Sequence, residues 1–222
     1  MLGEAMLVAG KDLRIEARAR VGLAQILPFG AIVLLLFAFA LDLNRGLLPE
    51  VAPGLFWIAV LLASILAVSR SFAVESEHNA RDNLRLVGID GAAIFLGKAA
   101  AIVVELLALE AVLLVGTFVF YDVSARGMVA IVPAAVAATC GIAATGTVYG
   151  ILAAGLRMRE TLVPLLVLPI TAPVMLGATR AFEEALGGNT SQAWPWVQLL
   201  VVFAVIYVIA GVLAFGPLLE ES

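Results

Sequence analysis

The sequence predicts an all-α membrane protein with six transmembrane helices, and three observations lead there. The chain is 63% hydrophobic and only 14% charged, with a mean hydropathy of +1.10. Ordinary soluble domains run nearer about 45–50% apolar and about 25% charged. Apolar runs recur six times, each close to the roughly 20 residues that cross the hydrocarbon core. Finally, 222 residues leave only short connections between six such runs, so 1–222 forms a single transmembrane domain.

Residues 1–20 precede the first span. Leu2, Met6, Ala9 and Leu13 follow one helical stripe, and Lys11, Arg14 and Arg18 line another face. This pattern predicts an amphipathic helix lying in the membrane interface. The spans fall at 21–41, 55–74, 92–121, 128–156, 161–182 and 196–219. Ala38-Phe39-Ala40 mimics a signal-peptide cleavage site. The charged region ahead is long, however, and the apolar run exceeds the usual 7–15 residues or about that, so 21–41 reads as a retained span.

The fourth span is rich in small residues, ending in Gly146-x-x-x-Gly150. Small residues let helix backbones approach closely, inside a protomer or between two. The fifth carries Pro164, Pro169 and Pro173, each of which removes a ladder hydrogen bond. The freed carbonyls near Glu160, Leu165 and Pro169 cannot face lipid unpaired, so this helix is expected to be bent and covered by protein, or to line a cavity. The segment 183–195 looks too long for a tight turn and is expected to form a short re-entrant excursion.

Charge asymmetry orients the spans. Lys11, Arg14, Arg18, Arg20, Arg70, Arg81, Arg85, Lys98, Arg157 and Arg159 fall on the side of the first residue, and Arg45, Arg126 and Arg180 on the other, ten against three of the 13. The positive-inside rule then puts both termini in the cytoplasm. Trp57, Tyr121, Trp194 and Trp196 fall near the outer interface, where amphipathic rings belong.

The longest polar interruption runs from residue 74 to residue 98 and includes Glu75, Glu77, His78, Asn79, Arg81, Asp82, Asn83 and Arg85. Ala80, Leu84 and Val87 recur at i, i+4, i+7, giving a short helix one apolar stripe. Glu77 precedes Arg81 by four residues, the favoured order for a helical pair. Gly88 and then Asp90-Gly91 stop that helix and turn the chain back. Such a cytoplasmic helix offers an apolar ridge to a soluble partner. The alternative is a polar loop lying on the headgroups.

Few residues are placed for chemistry. Glu105 and Glu110 lie within the third span, and an ionisable group inside a membrane is a functional candidate by default. Five residues apart, they stand about 140° apart around the helix and do not share a face. There is no P-loop, because Gly97-Lys98-Ala99 lacks the hydroxyl and the upstream glycine spacing. There is no G-x-S-x-G and no H-E-x-x-H. With one histidine, His78, and one cysteine, Cys140, neither an internal disulfide nor a multi-histidine metal site is available. The net charge of -4 without a basic tract argues against nucleic acid. The chain therefore reads as a non-enzyme with no catalytic or metal-binding residue, embedded in the lipid bilayer.

The run from Lys11 to Arg20 entering the first span is similar to the N-terminal cytoplasmic helix of the haem exporter protein B (CcmB) family, the permease subunit of the cytochrome c maturation ABC transporter. The proline-rich stretch 163–177 resembles that family's fifth span. Residues 75–98 are similar to the coupling segment of the wider ABC-2 permeases, which assigns ATPase coupling to Glu75, Ala80, Arg81, Leu84, Arg85, Val87 and Gly88. The resemblance implies a bacterial inner-membrane permease that forms a homodimer and binds two copies of a cytoplasmic ABC ATPase, where ATP is hydrolysed. It further implies a tryptophan-rich haem-handling membrane subunit, a small single-span subunit and a periplasmic haem chaperone that is loaded or released. Haem iron is held by histidine, cysteine, methionine or tyrosine. Met175 and Tyr207 lie in spans but fit packing roles, so haem is expected to be handled by the complex rather than bound here. Two other readings remain open: an ABC-2 permease exporting a glycan, lipid or drug, and a membrane scaffold that transports nothing.

Overall fold

The computed structural model describes residues 1–19, 21–41, 48–77, 90–121, 127–154 and 159–221. These form helices α1 (Leu2–Ala19), α2 (Val21–Leu41), α3 (Leu48–Glu77), α4 (Gly91–Phe120), α5 (Met128–Ala154), α6 (Arg159–Leu186) and α7 (Thr190–Glu221). Among the described residues there is no strand. Helices α3 to α7 are each long and apolar enough to cross a membrane, and α2 contributes the shorter apolar stretch Ile26–Ala40.

Side-chain register fixes how α2 to α7 alternate. Gly30 of α2 faces Leu109 and Leu113 of α4, so these two run parallel. Val68 and Phe72 of α3 meet Gly146 and Gly150 of α5, again in parallel. Antiparallel pairs link them: Phe95 of α4 with Gly211 of α7, Gly177 of α6 with Leu200 of α7, and Gly141 of α5 with Val174 of α6. One end of the bundle, called lower here, therefore carries the starts of α2, α4 and α6 and the finishes of α3, α5 and α7. The upper end carries the opposite termini.

The small residues of α5 explain its central place. Ala134, Ala138, Ala143 and Ala144 are buried, and α5 packs against α3, α4, α6 and α7. A Cβ added at Gly146 would stand 2.5 Å from Val68, and one at Gly150 would fall on the Phe72 ring. The Gly146-x-x-x-Gly150 pair is thus used inside the protomer, as a seat for two side chains one turn apart on α3.

Several expectations are corrected. The chain does not make an excursion between the last two helices. Helix α6 continues to Leu186, and α7 begins at Thr190. The turn is closed by Asn189 N donating to the Glu184 carbonyl at 2.8 Å and Gly188 N to the Ala185 carbonyl at 3.2 Å, with Gly188 at φ 86. That pairing ends a helix on a left-handed residue, which glycine adopts without a Cβ clash. Asn189 then opens α7, its carbonyl accepting from Gln192 N at 2.8 Å. Asp90 opens the next helix, and the short helix expected ahead of it, at 75–87, lies beyond Glu77 outside the described residues. The Asp90 side chain accepts from Ala92 N at 3.0 Å and caps α4.

Trp57 and Tyr121 are not interfacial anchors. Trp57 is fully buried, its ring 5.4 Å from Phe56 and 5.1 Å from Phe182 between centroids, which packs α3 on α6. Tyr121, also fully buried, donates its hydroxyl to the Leu34 carbonyl at 2.8 Å and ties the top of α4 to α2. Trp194 remains exposed. On α1, the stripe expected from the sequence and the face docked on the bundle are different. Leu2 and Met6 are 76% and 75% exposed, and the docked face is Ala5 and Val8.

Candidate functional site

A cluster of charged groups gathers at the lower end, where α1 crosses the feet of α3 and α4. Close approach begins at Gly97 of α4. A Cβ there would stand 2.6 Å from Val8 Cβ and 2.7 Å from the Ala5 carbonyl oxygen, so a larger residue would push α1 away. One turn further along α1, the Asp12 carboxylate lies 3.6 Å from Lys98 Nζ. The Lys98 side chain is only 1% exposed. It donates to Ser71 Oγ at 3.4 Å and stands 4.6 Å from the centroid of the Phe72 ring. A further turn along, Glu16 lies 3.7 Å from Arg70 Nε on α3. Both separations exceed direct hydrogen bonding, so charge attraction in a weakly polar setting holds them.

These contacts form a connected path. Asp12 pairs with Lys98, Lys98 sits on Phe72, and Phe72 seats on Gly150, joining α1, α4, α3 and α5. Glu105, half-buried on α4, lies within electrostatic reach of Glu16 and Arg70. The signal for this network was present in the sequence. Ala5, Val8, Asp12 and Glu16 continue one line at i, i+3, i+7, i+11, so the two acids belong to the docked face of α1. The basic residues drew attention to the other face.

Glu110 looks elsewhere. It is 3% exposed between α4 and α5, and the Thr139 hydroxyl donates to its Oε1, while Oε2 is buried without a hydrogen-bond partner. A buried carboxyl group with one hydrogen bond is costly to place inside a membrane.

The three prolines all lie inside α6, which remains helical from Arg159 to Leu186. Donors from side chains reach carbonyls beside the missing ladder bonds. The Thr171 hydroxyl donates to the Val167 carbonyl at 2.8 Å, and the Tyr207 hydroxyl of α7 donates to the Ile170 carbonyl at 2.9 Å. Neither carbonyl is one that the prolines free, so these bonds add to the ladder rather than replace its missing members.

Of the residues expected to couple to an ATPase, Ala80, Arg81, Leu84, Arg85, Val87 and Gly88 lie outside the described residues. Glu75 lies in the last two turns of α3. The described structure does place both flanks of the segment, because α3 finishes and α4 starts at the lower end beside the Asp12–Lys98 and Glu16–Arg70 pairs.

Comparison with known proteins agrees with this architecture in length and extent. The sequence model of the CcmB protein family matches residues 4–222. The chain is 28% identical over 217 residues to Heme exporter protein B of Bradyrhizobium diazoefficiens, covering 96% of this chain and 95% of that protein. It is 30% identical over 179 residues to Heme exporter protein B of Rhodobacter capsulatus, covering 80% of this chain and 82% of the other. The protein of the same name from Pseudomonas aeruginosa is 28% identical over 209 residues, 89% of each chain. With nearly every described helix inside the matched region, the chain belongs to the CcmB protein family.

Proposed function

We propose that this chain is the permease subunit of a haem-exporting ABC transporter that serves cytochrome c maturation, and that it passes the motion of a partner ATPase into the membrane. The near full-length similarity to proteins named Heme exporter protein B supports the haem assignment. The observation that carries the mechanism is the double pairing of α1 with α3 and α4. Those two helices flank the segment 78–89. A displacement of that segment is delivered to α1, α3 and α4 together, because Asp12–Lys98 and Glu16–Arg70 resist their separation.

On this reading α2 is the sixth span, completing the set with the five longer helices. The lower end, both termini and 78–89 are cytoplasmic, in a bacterial inner membrane, as the ten-to-three basic split requires. The chain works as a homodimer with two cytoplasmic ATPase subunits, which bind and hydrolyse the ATP. A tryptophan-rich haem-handling subunit and a small single-span subunit complete the membrane assembly, which acts on a periplasmic haem chaperone. Haem ligation belongs to those partners, and this subunit supplies movement. The three prolines keep α6 bent against its neighbours and make it the compliant part of the bundle.

The test is at Leu84. Burying that side chain in a groove of the ATPase would contribute about 1.5–3 kcal/mol. Leu84→Asp is expected to leave the protein inserted yet release the ATPase on copurification and stop cytochrome c maturation. Arg81→Glu should weaken the contact less, because a rim charge is screened. Full ATPase retention by Leu84→Asp, at matched membrane levels, refutes the coupling role. Orientation is checked separately: in a Cys140→Ser background, an impermeant thiol reagent from outside should label Gly188→Cys and spare Asn83→Cys.

A further inference from the structure

Charge on α1 is sorted by face. Two of its acids, Asp12 and Glu16, turn inward to Lys98 and Arg70, and the third, Glu4, is exposed in the first turn and paired with the N-terminal ammonium at 3.0 Å. The opposite face carries a groove whose described lining is Met6, Leu7, Gly10, Lys11, Arg14 and Ile15. Met6 and Leu7 are 75% and 73% exposed, and Arg14 and Ile15 are exposed beside them. Lys11 Nζ lies 3.0 Å from Asp12 yet keeps 35% of its side chain accessible. Gly10 forms an open floor, since a Cβ added there would meet nothing within 4 Å. Apolar side chains thus border a cationic notch, and no acid lines it among the described residues.

The height of this groove matters. Gly30 of α2 lies against Leu109 and Leu113 of α4, so the start of α2 stands level with roughly residues 100–104 of α4, counting back at about 1.5 Å per residue. Helix α4, with 30 residues, is about 45 Å long and exceeds the roughly 30 Å hydrocarbon core. The level of Gly97 and Lys98, where α1 docks, therefore falls at the rim of the hydrocarbon, where lipid phosphates lie. An apolar flank for acyl chains and a guanidinium for a phosphate are the two features a phospholipid needs.

We propose that this face of α1 is a binding site for one anionic phospholipid, with Arg14 and Lys11 on the phosphate and Met6, Leu7 and Ile15 along the acyl chains. The proposal rests on the placement of α1 at the cytoplasmic membrane face given above, and goes beyond it in naming the ligand. Charge complementarity selects an anionic headgroup over a zwitterionic one, because Arg14 and Lys11 line the groove, Asp12 and Glu16 pair with Lys98 and Arg70, and Glu4 pairs with the N-terminal ammonium. Arg14 is the principal contact. Lys11 contributes less, since Asp12 neutralises part of its charge.

The experiment uses the full-length protein in phosphatidylcholine vesicles with small amounts of photoreactive phosphatidylglycerol or photoreactive phosphatidylcholine, the reactive group near the ester carbonyls. Adducts on the 2–15 region are counted by mass spectrometry. The phosphatidylglycerol probe is expected to label this region several-fold more than the phosphatidylcholine probe. Arg14→Gln should cut that preference roughly fivefold, the effect of removing one basic charge near an anionic surface. Lys11→Gln should cut it less, and Arg180→Gln, at the upper end, should not change it. Gly10→Leu fills the notch while leaving the charges, and should lower the preference too. Equal labelling by both probes overturns the anionic site and leaves α1 at the interface. Labelling by neither probe overturns the site together with the interfacial placement. A preference that survives Arg14→Gln with Lys11→Gln, or that inorganic phosphate abolishes at constant ionic strength, also overturns it.

Discussion

Replacing Asp12 by Asn tests whether charge fastens α1 to the bundle. The substitution keeps the size of the side chain and removes one carboxylate beside Lys98, which is 1% exposed. At 3.6 Å, two unit charges attract by about 4–5 kcal/mol for an effective dielectric near 20. Removing one member of a buried pair typically costs about 3–5 kcal/mol, because the other charge stays behind. Asp12 retains some exposure, so about 3 kcal/mol is expected. Lys98 keeps Ser71 Oγ and the Phe72 face in the variant, so α1 should detach before the bundle unfolds. The assay is thiol reactivity of Val8→Cys, at a site 2% exposed, in a Cys140→Ser background. A loss of about 3 kcal/mol should raise the labelling rate on the order of a hundredfold, since each 1.4 kcal/mol or about that is tenfold. Asp12→Leu combined with Lys98→Met should restore slow labelling, as apolar replacement of a buried pair is often neutral or stabilising. A labelling rate for Asp12→Asn within threefold or so of the parent would show that packing at Gly97 holds α1 and the ion pair does not.

Three further outcomes are expected. Gly150→Ala should destabilise the protein by about 1–3 kcal/mol in detergent unfolding, because the new methyl group falls on the Phe72 ring, whereas Gly10→Ala, with open space around it, should cost nothing. Thr139→Val should cost about 1–3 kcal/mol by leaving both Glu110 oxygens unpaired, and an unchanged midpoint would show that the pair makes no net contribution. Tyr207→Phe should cost about 1 kcal/mol by removing the hydrogen bond from α7 to the Ile170 carbonyl of α6, measured in the same unfolding assay.

Hydropathy made the helices legible because a bilayer restricts spanning backbone to helices and closed barrels, and the long apolar runs of this chain leave little choice between them. Each expected span falls on a helix, five of them long and apolar enough to cross a membrane, and some helices run beyond the expected bounds, as at Leu48 and Leu186. What hydropathy misses is direction within the protein. Trp57 and Tyr121 sit at the right depth for an interfacial belt, but depth says nothing about whether a ring faces lipid or a neighbouring helix. The turn at Gly188 was misjudged because Glu183 and Glu184 look like a span boundary. Their helix in fact continues one turn beyond them, since an exposed Arg180–Glu183 pair suits a helix surface as well as a loop. The ion pairs at the lower end were hidden because each joins residues far apart in sequence. Only the regular spacing of Ala5, Val8, Asp12 and Glu16 points to them.

The distribution of constraints says where this bundle can yield. At the lower end α1, α3 and α4 are joined by charge pairs, by the glycine contact at Gly97 and by Phe72 seated on Gly150. Separating any two of them exposes a charge or opens a gap. Helix α6 is held differently. Its prolines remove three ladder bonds, and hydroxyls from Thr171 and Tyr207 meet carbonyls beside the breaks. A hydroxyl bond to a carbonyl contributes only about 1 kcal/mol and tolerates rotation of its donor, so α6 can change curvature at little cost. On the coupling proposed above, a load entering through the feet of α3 and α4 meets a stiff block first. It then passes through Phe72 and Gly150 to α5, whose Gly141 rests against Val174 of α6. Val174 immediately follows Pro173, so the load reaches α6 where its ladder is already interrupted, and bending there is the response of least cost.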